Sequence, residues 1–226
     1  TLTHLFTQHN KLGGELGKYL HNTLHPELEQ KLSEKNWDIT PYVNVFNSTP
    51  EKGFSQFMDS PRYSTGYTTL FNTFGMMVET HMLKPYKPRV KGTYELMKSM
   101  IEIIEEQNDA IANLRKDAWK VYKEKGEYPI SWTVDTTQSS TLNFKGFEGD
   151  FVTSEITGAM RLKYDRSKPF TKEVAYRNYF KETQSVTIPE AYVIPQGWHN
   201  VIDLLKLNHI EMTQFKSDTT LTIESY

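Results

Sequence analysis

Residues 75–90 read GMMVETHMLKPYKPRV, and the character of the chain changes twice within them. Phe74 to Val78 is a short apolar run, which predicts a buried β-strand because it is brief and bounded by turn-forming and polar residues. Glu79 arrives at its carboxyl end, and two prolines and several basic residues follow. Beyond Val90 a helical period sets in, with Tyr94, Met97, Ile101 and Ile104 on one apolar stripe. Ile111, Leu114, Ala118 and Tyr122 resume the stripe after the polar Gln107-Asn108-Asp109, a gap that predicts a bend or a break. A strand that leads into a long helix predicts an α/β sheet, and in such sheets ligands bind at the carboxyl ends of strands. A carboxylate placed there suits general-base chemistry, because burial would raise its pKa toward neutrality. The plain alternative is an ion pair between Glu79 and Arg89 or Lys84 at the strand end.

Upstream, Leu12, Leu16, Leu20 and Leu24 recur at four-residue spacing, so Asn10 to Leu24 reads as an amphipathic helix. A second helical stretch starts near Pro26, with Glu27 and Glu29 in its first turn and Leu28 and Leu32 as its apolar positions. Downstream of Tyr128 the runs ISWTVDTT, STLNF, FVTSEIT, MRLKYD, QSVTI, AYVIP and TLTIESY are short, β-rich and separated by turn residues. Only GWHNVIDLLKLN, residues 197–208, reads as helical there. The expectation is therefore an α/β portion over residues 1–127, ending in a long connecting helix, and a small, mostly antiparallel β domain over 128–226.

Composition narrows the function classes. A chain of 226 residues with 37% hydrophobic content can bury a real core. A net charge of -2 argues against a polyanion such as nucleic acid as partner. No apolar run reaches eighteen residues, so no membrane span is expected. Cysteine is absent, which rules out disulfides and thiolate metal sites. The opening TLTHLFTQHNK has no apolar signal-peptide core and no initiator Met, and reads as the start of a piece cut from something longer. His21 and His25 stand four apart, but Asn22 occupies the place where a zincin helix needs Glu and Pro26 follows at once; the pair reads as an exposed helix end. LGGELGK lacks the preceding strand and the Lys-Ser/Thr ending of a phosphate loop, and no G-x-S-x-G nucleophile elbow occurs.

The stretch PRYSTGYTTLFNTFGMMVETHMLKPYKPRVKGTYE, residues 61–95, resembles the region around the catalytic glutamate in bacterial members of the M14 family of zinc carboxypeptidases. The shared order is an Arg-aromatic-x-Thr-x-Tyr segment (Arg62 to Tyr67), an apolar strand ending in Glu79, and an Arg-Val-x-x-Thr-Tyr helix start (Arg89 to Tyr94). MRLKYDRSKPFTKEV and IPEAYVIPQGWHNVIDLLKLNHIE look like the accessory domain that follows the peptidase domain in some of these proteins. The resemblance implies an α/β/α sandwich around a mixed sheet and a zinc ion held by two His and one Glu. It further implies that the metal polarises the scissile carbonyl and activates a water, while Glu79, outside the zinc shell, takes the water proton. Arg62, Tyr63 and Tyr67 are then the substrate-binding candidates, since a guanidinium fork fits a peptide's terminal carboxylate.

The chain departs from the family in one respect. The H-x-x-E motif that supplies two zinc ligands does not occur, and the flanks of His4 do not match those of the third ligand. The resemblance therefore implies that the zinc ligands lie outside this chain, that none of its residues holds the metal, and that alone it is inactive and binds zinc poorly. A peptide is the implied substrate, and export to the periplasm or the cell exterior is the implied location. The alternative is a non-catalytic peptide- or glycan-binding module attached to a degenerate peptidase remnant. An H-x-x-E motif and a further His in the flanking polypeptide would separate the two.

Overall fold

The structure is a computed structural model and describes residues 2–124 and 126–225. Its core is built on Leu12, Leu16, Leu20, Leu24, Leu28 and Leu32, all buried in one cluster. On a regular α-helix a four-residue step overshoots a full turn by about 40°, so from Leu16 to Leu32 the stripe would drift by about 160°. The chain avoids this with a change of helix type. It runs as α1 (His9–Leu12), α2 (Gly14–Tyr19), one turn of π-helix (Leu20–Leu24) and α3 (His25–Glu34). A π turn absorbs one extra residue and swings the stripe back by about 100°.

Pro26 supplies the reason for the π turn. In a regular helix its ring would strike the carbonyl four residues back, and it has no N–H to donate. The widened turn sits directly before it, with the His25 N–H on the Leu20 carbonyl. The two helices expected on either side of Pro26 are thus one nearly continuous rod from Gly14 onward, and α1 turns back against its start at Gly13, whose φ is 67°.

Against this rod lies a three-stranded sheet of β1 (Leu2–Phe6), β2 (Ile39–Pro41) and, further along the chain, β4 (Met76–Glu79). The order is β2-β1-β4, with β2 parallel and β4 antiparallel to β1. Between them come β3 (Phe54–Ser55) and the one-turn helix α4 (Ser64–Tyr67). Leu2 and Phe6 join the leucine cluster, and Met76 and Val78 pack against it. Phe74 to Val78 was expected to be a buried strand; β4 is instead half-buried and at an edge, because among the described residues only β1 flanks it.

The long helix is α5 (Tyr86–Glu106), followed by α6 (Asn108–Glu124), with the break at Gln107 where the polar gap falls. Its orientation differs from the usual rule that the most apolar stripe faces the core. Leu96 and Ile103 are buried, with Gly92 and Ser99 on the same side, whereas Tyr94, Met97, Ile101 and Ile104 face solvent. Small residues win the inner face because they allow close approach. A Cβ at position 92 would lie 2.9 Å from the Trp37 ring, and Ser99 takes a 3.0 Å hydrogen bond from Lys35 Nζ. On α6, Leu114 and Ala118 pack against the core as expected; the Tyr122 side chain, like Thr1 and Tyr226, lies outside the described residues.

The remaining strands form two antiparallel pairs: β5 (Glu127–Val134) with β8 (Phe180–Thr187), and β6 (Ser140–Thr153) with β7 (Met160–Arg177). AYVIP and residues 220–225 carry no strand, because nothing in the described chain pairs with them. β3 adds to β7 in parallel, through Phe54 opposite Tyr176. The Phe180 N–H donates to Asn10 Oδ1 at 2.9 Å, and Lys145 bridges to Asp38 at 2.7 Å. These ties place the position of the expected domain division, near Tyr128, inside one compact body that runs to Thr187. A second body, from Ile188 onward, carries α7 (His199–Leu207). The class is mixed α/β with sheets of two and three strands. Among the described residues no helix is long and apolar enough to cross a membrane.

Candidate functional site

Glu79 ends β4 opposite Thr3, whose hydroxyl donates to the Glu79 carbonyl at 3.4 Å. Side chains alternate between faces along a strand, and directly opposed residues share a face. Val78 therefore lies with its partner His4 on the leucine side of the sheet, and Glu79 lies with Thr3 on the other. The carboxylate is exposed rather than enclosed, as befits the tip of an edge strand. Arg89 donates to the hydroxyl of the next residue, Thr80, at 3.3 Å, and no ion pair between Arg89 and Glu79 occurs among the described residues. From Thr80 a groove of about 380 Å³ opens along the first turns of α5, lined by Tyr86, Arg89, Val90, Tyr94 and Met97.

Arg62, Tyr63 and Tyr67 are all exposed, in the turn before α4 and on that helix. Threonines fix α4 in place. Thr7 Oγ1 donates to the Thr65 carbonyl at 2.7 Å and accepts the Gly75 N–H at 3.0 Å, and Thr65 Oγ1 donates to Asp59 at 2.5 Å. Lys11 closes the loop on the Asp59 and Gly66 carbonyls. The anchor point, Gly75, stands at the start of β4, and Glu79 is four residues further on, about 13 Å along the strand. The four sequence-predicted residues thus share one strand's surroundings but occupy its two ends.

A different set of groups converges on the leucine side. His4, almost fully buried on β1, has its Nε2 2.7 Å from His25 Nε2, and His25 Nε2 lies 3.3 Å from Glu29 Oε1. Each of the three offers a ligand atom within 4.8 Å of the others. His9 and His21 stack alongside with ring centroids 4.2 Å apart, and His21 reaches the Tyr179 hydroxyl at 3.1 Å. Burial, then repulsion from His25, holds His4 well below the usual imidazole range. Burial and the neighbouring histidines bring His9 down to about 4, and the same causes lower His21. Burial, then the Glu29 carboxylate, pushes the Tyr176 phenol far up. The histidines at 21 and 25 are therefore no exposed helix end: His25 faces His4 on β1, and His21 faces Tyr179 just ahead of β8. Sequence reasoning passed over Glu29, although His25 and Glu29 at four-residue spacing on one helix was a legible signal. His4 was weighed in the sequence only as the family's third ligand; its partners here are brought in only by the packing of α3 on the sheet.

No family model, no characterised protein and no solved structure matches the chain. The likeness to zinc carboxypeptidases rests on the residues quoted for it.

Proposed function

We propose that this chain is part of a zinc-dependent metallocarboxypeptidase in which Glu79 is the general base and residues outside the chain hold that zinc. The observation that carries the reading is an exposed carboxylate at the carboxyl end of an edge strand, with a groove beginning at the very next residue. Apolar walls from Val90 and Met97 and the Arg89 guanidinium suit a peptide's last side chain and its terminal carboxylate. An extended peptide along the edge of β4 covers the distance to Arg62, Tyr63 and Tyr67 with about four residues. The family's α/β/α sandwich belongs to the same proposal.

The His4/His25/Glu29 set has the family's ligand types, but it lies on the opposite face of the sheet from Glu79. That position supports a zinc for Glu79 held by residues outside the chain. What this chain contributes is a proton acceptor at Glu79 and a cradle for the peptide's carboxyl end.

The test uses a polypeptide that joins this chain to the zinc ligands. Glu79→Gln keeps size and hydrogen bonding but cannot accept a proton, so kcat for a peptide with a free carboxyl end should fall by at least ~10²-fold with zinc content unchanged. Near-normal kcat with a lowered melting temperature would end the assignment. Peptide binding without turnover in the unaltered polypeptide would leave the binding-module reading standing.

A further inference from the structure

We propose that His4, His25 and Glu29 form a binding site of their own for one divalent transition-metal ion, Zn²⁺ foremost. The donors come from two rigid elements, β1 and α3, locked together by the leucine cluster. Two imidazoles and a carboxylate are the donor set of borderline first-row ions rather than of calcium or magnesium, which demand oxygen.

Two of the three ligand-atom separations are near what such an ion needs, and the third, between His4 and Glu29, is within 4.8 Å. With metal–ligand bonds of about 2.0–2.1 Å, neighbouring ligand atoms in a tetrahedral shell stand about 3.3 Å apart. His25 and Glu29 already have that separation at 3.3 Å. His4 and His25 are closer, at 2.7 Å, and must part by about 0.6 Å, within the reach of small χ rotations. His25 stands at the first position of α3, and its side chain is half-buried, so the adjustment falls on χ angles and not on the backbone.

A fourth position is also provided. A cavity of about 20 Å³ lies against His4 and His25, enough for one water, with Gln56 and His9 on its walls. His9 Nε2 is buried and has no hydrogen-bond partner among the described residues, a cost that a metal-bound water reaching it would remove. Three protein ligands and a water make an open site of the kind that can do chemistry. The proposal stands apart from the reading of Glu79, which lies across the sheet.

The experiment uses the full chain freed of metal with a chelator and titrated with Co²⁺, then with Zn²⁺ in competition. One equivalent of cobalt should give the intense ligand-field bands of a four-coordinate ion, with a Kd tighter than about 1 μM, and zinc should abolish them. His25→Gln and Glu29→Gln should each weaken binding at least ~10-fold. Both positions are half-buried rather than core, and a circular-dichroism melt confirms that each variant is folded. His81→Gln, an exposed histidine outside the cluster, should bind as the unaltered chain does. Absence of the cobalt bands at saturating metal, or equal affinity in the His25 and Glu29 variants, overturns the site. Equal weakening by His81→Gln overturns it as well, because the ion would then sit elsewhere.

Discussion

Gly17 has no room for a single added carbon: a Cβ there would stand 2.1 Å from the His9 carbonyl oxygen. Alanine is the better helix former, so an exposed glycine replaced by alanine in a helix would gain about 1 kcal/mol. Here the close crossing of α2 over α1 reverses the sign. Gly17→Ala should cost about 1–3 kcal/mol in urea unfolding, because α1 must lift away and take His9 off His21. An unchanged or raised unfolding midpoint would show that α1 can shift freely. The glycines of LGGELGK are easy to see in the sequence and were weighed there as a phosphate loop; their service to packing was not legible, since the clashing carbonyl belongs to another helix. Glu79 shows the same division. Its place at a strand end follows from the local pattern, but its exposure depends on how many strands flank β4, which no local pattern records.

Two stripes compete for the core on α5, and periodicity selected the wrong one. Counting apolar residues favours Tyr94, Met97, Ile101 and Ile104, while the packed face carries Gly92, Leu96, Ser99 and Ile103. The difference is measurable. Leu96→Ala should lower stability by about 2–5 kcal/mol, the usual cost of a cavity in a buried cluster. Met97→Ala, on the open face, should change it by less than about 0.5 kcal/mol. Equal effects would mean that both faces are covered. The leucine rod taught the opposite lesson. Its four-residue spacing was visible at once and every leucine is buried, yet the spacing fits only because the π turn before Pro26 resets the phase. A repeat of four was itself the clue to a helix wider than 3.6 residues per turn.

For the molecule as a whole, the clustered histidines make stability depend on pH with a definite sign. His4, His9 and His21 have depressed pKa values in the fold, while an unfolded histidine titrates near 6.5. Above that pH neither state is charged and the full stability is present. Below it the unfolded chain takes protons that the fold refuses, so stability drops by about 1.4 kcal/mol per pH unit for each enclosed imidazole, and by less for the half-buried His21. For His9 the loss continues until pH falls to about 4. Calorimetric melting of the metal-free chain should show Tm falling steadily from pH 6.5 to 4.5; a flat profile would refute the enclosure of these rings. The antiparallel β-rich character of the second half was legible from its short runs between turn residues, but the parallel addition of β3 to β7 was not, since two residues give no period. That pairing sets a timetable for synthesis. Phe54 leaves the ribosome more than a hundred residues before its partner Tyr176 exists. At about 5–20 residues per second the wait is on the order of ten seconds. During it the Phe54 side chain and its strand have no sheet to join, and a nascent chain halted before β7 should be cut by protease at this segment while the finished chain resists.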